Sequence, residues 1–362
     1  MSNRASFRNP RMNTKFQNES SESKGTRPIR EASSIFEVLV VMIVHICKKI
    51  LFFDTNLKIA LYLGTLFLLS LIADVFTFPK SYFSRSDNMF NQYFVKIGWF
   101  WTLFLTVPYV LLTSYTTTCG NRRLILSAHM PRIAIATLFW YLWTTFFNII
   151  ETKYGRCNAS KFDNKSSCLQ NGHFWNGFDI SGHCFILIYS NLVMIEEARA
   201  VNGWERIKDY IRDEIYARSI DDKSVSINPL RNINTDELNI LKNSYENFTP
   251  YVRGYLIAIT LLQILWDIML TSTILYYHIM VEKFISGIIA IVTWFITYKV
   301  WYTIPGLLPN LPGEGVFKYN KEKPASTPVY KKRMSNANGK HFMGMPLNKN
   351  QDSSEAPPEE SR

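Results

Sequence analysis

The sequence predicts an all-α, polytopic membrane protein with about six transmembrane helices held between disordered polar tails. Three observations carry this expectation. The chain is 47% hydrophobic and 15% aromatic but only 19% charged. Its mean hydropathy of −0.03 averages apolar blocks with polar ones, and several of those blocks reach the roughly 20 residues needed to cross a hydrocarbon core. Both ends are strongly hydrophilic.

Residues 1–34 carry seven basic positions and no apolar run, too little apolar surface to fold, and are expected to form a cytoplasmic tail. No cleavable signal peptide is visible. Residues 35–53 are apolar but hold Glu37, His45, Lys48 and Lys49, which predicts an interfacial amphipathic helix rather than a span. Residues 54–312 are expected to form the six-helix unit. Its spans run from Leu57 to Phe78, closed by Pro79, from Phe94 to Tyr115 and from Ile133 to Ile150. A short one follows from Gly182 to Ile195, then two more from Tyr255 to Tyr277 and from Phe284 to Tyr302. A cytoplasmic insertion is expected at 199–253, and a second disordered cytoplasmic tail, with Lys331, Lys332 and Arg333, at 313–362. There is no internal repeat.

An even number of spans puts both termini on one side, and the basic tails place that side in the cytoplasm. The loop from Glu151 to Ile180 then lies on the opposite face. Its cations Lys153, Arg156, Lys161 and Lys165 count against that address. Its cysteines Cys157 and Cys168, a candidate disulfide, and its sequons at Asn158 and Asn164 favour it. The other cysteines, Cys47, Cys119 and Cys184, have no metal-ligand spacing. Neither a metal nor a nucleic-acid partner is expected.

Two histidines stand at membrane boundaries in apolar surroundings. His183 follows Phe178-Asp179-Ile180-Ser181-Gly182 at the start of the fourth span, and His278 follows Tyr276-Tyr277 at the end of the fifth. The topology puts both on the same face. One imidazole can attack phosphorus while a second protonates the departing oxygen. Glu282, four residues after His278, is spaced to hold its other ring nitrogen. Ser181 and Gly182 are expected to offer a hydroxyl and backbone N–H groups to a phosphate. Lys283 would offset its charge, and Asn148 would contact substrate or another helix. The bland alternatives are histidines as interfacial anchors, and Glu282 and Lys283 as simple turn markers. Asp179 reads better as a helix cap than as a catalytic group, Glu196 and Glu197 as solvated ends. Asp267, deep in the fifth span, is expected to be neutral or paired with another span.

The string Trp175-Asn176-Gly177-Phe178-Asp179-Ile180-Ser181-Gly182-His183, continuing to Glu196-Glu197, resembles the signature of the fat storage-inducing transmembrane (FIT) family. So do the segment from Asn91 to Trp99, Phe147-Asn148 through Glu151, and Tyr276-Tyr277-His278 with Lys283 and Gly287. The resemblance runs from about Phe78 to Pro312. It implies a six-span endoplasmic reticulum membrane protein with cytoplasmic termini and a lumenal active site. It also implies hydrolysis of the diphosphate of fatty acyl-CoA to acyl 4′-phosphopantetheine and adenosine 3′,5′-bisphosphate, in support of lipid droplet formation and lipid homeostasis. His278 would be the nucleophile and His183 the general acid, with no cofactor. The paired histidines are similar to those of lipid phosphate phosphatases, but Thr271 and Ser272 stand where those enzymes carry Ser-Arg, and Glu282 replaces their usual aspartate. The alternatives are a non-enzymatic protein that binds neutral lipids (diacylglycerol or triacylglycerol) and partitions them into droplets, and a scaffold whose tails recruit cytoskeletal or membrane-shaping proteins.

Overall fold

The computed structural model describes residues 34–76, 78–85, 87–159, 164–219, 228–304, 306–320, 341–342 and 345–346. The first tail, up to residue 33, lies outside them. Helix α1 is Ile35–Leu51 and α2 is Thr55–Val75. A 3₁₀ turn at Tyr82–Ser84 and a π turn at Asn91–Val95 lead into α3, Gly98–Thr117. Then come α4, Arg122–Tyr154, and a loop holding the strands Arg156–Cys157 and Trp175–Asn176 around α5, Lys165–Gln170. Helices α6, Gly182–Ala198, and α7, Trp204–Ser219, precede α8, Thr235–Tyr276, and α9, Met280–Trp301.

Four helices, α2, α4, α8 and α9, are long and apolar enough to cross a bilayer. The remaining two expected spans are α3, with 20 residues, and α6, with 17. Six spans are compatible with this arrangement. Helix α6 is the axis of the bundle: every residue from Cys184 to Ala198 is buried, as expected of a helix that is apolar all round. It packs against α3, α4, α8 and α9. Its Ser181 cap accepts a hydrogen bond from Cys184 N at 3.3 Å, meeting one of the donors that a helix start leaves open. Helix α2 closes onto α9 where Gly287 has no side chain, since a Cβ there would collide with Leu66.

The second half of α6 is held by charge. Arg132 of α4 donates from Nε and Nη2 to the two oxygens of Glu197 at 2.8 and 2.9 Å, and Tyr298 of α9 donates to Glu197 Oε1 at 2.8 Å. Glu196 pairs with Arg199 and Lys299, each at 2.8 Å. The expectation that these glutamates are solvated is overturned, because both are buried and buried carboxylates persist only when paired. Asp267 does pair with another span. It accepts from Lys58 Nζ at 3.2 Å and Tyr62 Oη at 2.7 Å of α2, and from Asn191 Nδ2 of α6 at 2.8 Å.

The segment expected as an insertion is largely helical and continuous with the fifth span. At 42 residues, α8 is about 63 Å long, twice the roughly 30 Å of hydrocarbon. Its first half pairs with α7 through the stacked rings of Trp204 and Tyr245, 5.6 Å apart, and the Arg253–Glu205 ion pair at 2.8 Å. Within the segment expected as the second tail, Phe317 and Tyr319 are buried and Tyr319 Oη donates to Ala200 O at 2.7 Å. Two apolar rings and a satisfied hydroxyl are enough to seat this short segment. Helix α1 buries Val44, Cys47 and Leu51 and exposes Ile35, Phe36, Met42 and Ile46.

Candidate active site

The site lies at the end of the bundle where α4 stops, α6 starts and α8 turns into α9. The turn is tight. Tyr277 N still donates to Thr273 O at 3.2 Å, His278 takes a left-handed φ of 56°, and α9 begins two residues later. A non-glycine residue in that region costs on the order of 1 kcal/mol. The cost is offset by side chains that bind the turn. Glu282 Oε2 accepts from Ile279 N at 3.4 Å, Asp74 Oδ2 accepts from Met280 N at 2.8 Å, and Lys283 Nζ donates to Ile274 O at 2.8 Å.

This backbone aims His278 at two carboxylates. Its Nδ1 is 3.4 Å from Glu282 Oε2 and 3.6 Å from Asp179 Oδ2. The two acids are themselves joined, because Asp179 N donates to Glu282 Oε1 at 3.1 Å. Acceptors facing Nδ1 favour the tautomer with its proton there, leaving the Nε2 lone pair unprotonated. Partial burial pushes the Asp179 carboxyl above its ordinary value; the charge of His278 opposes that shift, and Glu151 and Glu282 reinforce it.

Asp179 is delivered by a clamped loop. The Cys157–Cys168 disulfide forms, Trp175 Nε1 donates to Glu151 O at 3.0 Å, and Lys165 pairs with Glu151 at 2.6 Å. Gly177 passes so close to the end of α4 that a Cβ would stand 2.8 Å from Glu151 O. Two residues past Asp179, Ser181 caps α6, and two beyond that stands His183. Its Nε2 is buried without a hydrogen-bond partner among the described residues. The ring interacts electrostatically with His278 and with Lys96.

The structure therefore brings His183, His278 and Glu282 to one place. Gly182 faces open space, so its backbone can be approached. The Ser181 hydroxyl is fully buried and occupied with the cap, and Ser286 Oγ donates to its carbonyl at 2.6 Å. Lys283 is likewise enclosed, its ammonium bound to the last turn of α8 and 3.9 Å from Asp74; it ties the turn rather than facing the opening. Asn148 is exposed on α4, and no hydrogen bond of its side chain is found among the described residues. Reading Asp179 as the helix cap is corrected, since Ser181 takes that role and Asp179 faces His278. Lys96, an exposed cation two residues before Gly98, which packs on Ile186 of α6, was missed. Nothing in its local sequence separates it from other interfacial lysines.

The family model for fat storage-inducing transmembrane protein matches residues 79–298. The chain belongs to the fat storage-inducing transmembrane family. It is 55% identical over 304 residues to acyl-coenzyme A diphosphatase FITM2 of Drosophila melanogaster, covering 84% of this chain and 72% of that protein. The proteins of the same name from Xenopus laevis and Homo sapiens are 31% and 29% identical, over 72% and 67% of this chain and 86% and 82% of their own. No solved structure matches. The matched region of the FIT family spans α3 to α9 and includes both histidines and both carboxylates.

Proposed function

We propose that this chain is a fatty acyl-CoA diphosphatase that hydrolyses the CoA diphosphate to acyl 4′-phosphopantetheine and adenosine 3′,5′-bisphosphate. The observation that carries the reading is the pair of carboxylates on His278 Nδ1, with His183 at the adjoining helix start. His278 Nε2 attacks one phosphorus of the diphosphate, and the bond to the bridging oxygen breaks. His183 gives that oxygen a proton. Water then attacks the phosphohistidine, His183 takes up the water's proton, and both histidines return to their starting state. Glu282 and Asp179 stabilise the charge that develops on the His278 ring. Open backbone at Gly182 and the Lys96 ammonium would supply phosphate contacts, in a site with no counterpart of the lipid phosphatase arginine.

The membrane address follows from the same parts. The disulfide-bearing loop beside the site suits an oxidising lumen, and the basic tails suit the cytoplasm. We place the protein in the endoplasmic reticulum with its site at the lumenal face, where hydrolysis would support fat storage as the family name suggests. The deciding measurement is release of adenosine 3′,5′-bisphosphate from oleoyl-CoA by purified full-length protein. His278→Ala and His183→Ala are expected to lose at least about 10²-fold in kcat while keeping the wild-type unfolding temperature. Equal product release by wild type and both variants would remove the hydrolase reading.

A further inference from the structure

Away from the histidines, α1, α2 and α8 enclose a groove of about 820 Å³. Ile46, Ile50, Phe53, Leu61, Leu270 and Ile274 form its apolar walls. Its polar residues are unusual for a face turned toward lipid. Asp267 is bound to Lys58 and Tyr62 yet keeps 38% of its side chain exposed. Beside it, Gln263 also lines the groove and is 2% exposed, and its Oε1 accepts no hydrogen bond from any described residue. Polar groups held inside a bilayer are costly and mark function, and an unmet buried acceptor adds to that cost. The groove thus sets the acceptors Asp267 and Gln263 beside the donors Lys49 and Lys58 within apolar walls, the recognition chemistry for a chain that carries amide groups and then becomes hydrocarbon.

The groove residues Gln263, Asp267, Leu270, Thr271 and Ile274 form one stripe along α8, which ends at Tyr276, and His278 stands in the turn just beyond it. Asp267 lies nine residues before that helix end, or about 14 Å at the helical rise. An extended pantetheine arm reaches about 15 Å, the span of roughly four to five extended peptide units. It carries two amide N–H groups and a hydroxyl before the thioester.

We propose that this groove is the binding site for the pantetheine arm and the first part of the acyl chain of the substrate. The diphosphate sits at His278, the amide donors meet Asp267 and Gln263, and the hydrocarbon leaves between α1 and α2 into the bilayer. Substrates lacking an acyl chain gain nothing from the α1–α2 walls, so the groove favours long-chain acyl-CoA over free CoA. The inference rests on the acyl-CoA reading.

The test uses the full-length His278→Ala protein in lipid nanodiscs with a palmitoyl-CoA analogue that carries a diazirine near the thioester. Irradiation is expected to label peptides within residues 45–65 and 263–274, oleoyl-CoA should compete, and Thr271→Trp, at an exposed groove position, should cut labelling on the order of tenfold. Unchanged unfolding of that variant shows the loss to be local. Label confined to α3 or α4, or groove label displaced by diacylglycerol but not by oleoyl-CoA, overturns the proposal; the second outcome makes the groove a neutral-lipid site. Wild-type hydrolysis measured in parallel separates the two readings. Turnover with label elsewhere sinks only the groove, whereas competed groove label without turnover sinks the diphosphatase.

Discussion

At the residue scale, the proposed chemistry turns on what surrounds one imidazole nitrogen. Two acids from different segments face His278 Nδ1, one from its own helix and one from the loop before α6. In Asp179→Asn the maximal rate is expected to fall, because one of two negative charges stabilising the developing imidazolium is gone. Steady-state kinetics of the two proteins check this, and an unchanged kcat would assign Asp179 a purely structural role. Lys96→Ala is expected to raise KM by about tenfold with a smaller change in kcat, the worth of one charge-assisted contact. The difference should shrink in high salt, because exposed charges are screened. His183, His278 and Glu282 were legible in the sequence as ring, ring and acid at one face. The second carboxylate was not, because an aspartate two residues before a capping serine resembles a cap until the loop is folded.

At the element scale, polar locks register the helices, which lipid-like apolar faces cannot do alone. Arg132 and Glu197 join α4 to α6, with Tyr298 drawing in α9. Arg132→Met should destabilise the detergent-solubilised protein by about 3–5 kcal/mol, since it strands a buried carboxylate. Replacing both partners by methionine should cost less than replacing one, which thermal unfolding of the single and double variants reads directly. The double-glutamate string Glu196-Glu197 was visible in sequence. Its burial was not, because adjacent glutamates at the end of an apolar run ordinarily mark the water boundary. Here α6 is surrounded, so the boundary lies elsewhere.

On the scale of the whole molecule, the candidate site is assembled from segments far apart in sequence, and the disulfide loop fixes one of them. Cys157→Ser with Cys168→Ser removes a short closed loop worth about 3 kcal/mol in a chain-entropy account. Because that loop delivers Asp179, the kcat of the protein that remains folded should fall toward that of Asp179→Asn, and the two defects should not add when combined. Additive losses in the triple variant would separate the loop from the site.

The sequence by itself determined the class of this protein and the apolar stretches of its long helices, because bilayer crossing demands long apolar runs that composition displays directly. It also singled out the candidate pair His183 and His278, because histidines are sparse and these two fall at span ends. Only the tertiary structure decided which helix is central, that Asp267 answers Lys58 and Tyr62 across α2 and α8, and that Asp179 faces His278. Those are pairings between residues up to 209 positions apart, and local pattern carries no information about which distant group a side chain will meet. Burial of a short apolar helix and exposure of a long one look alike in sequence; packing alone tells them apart.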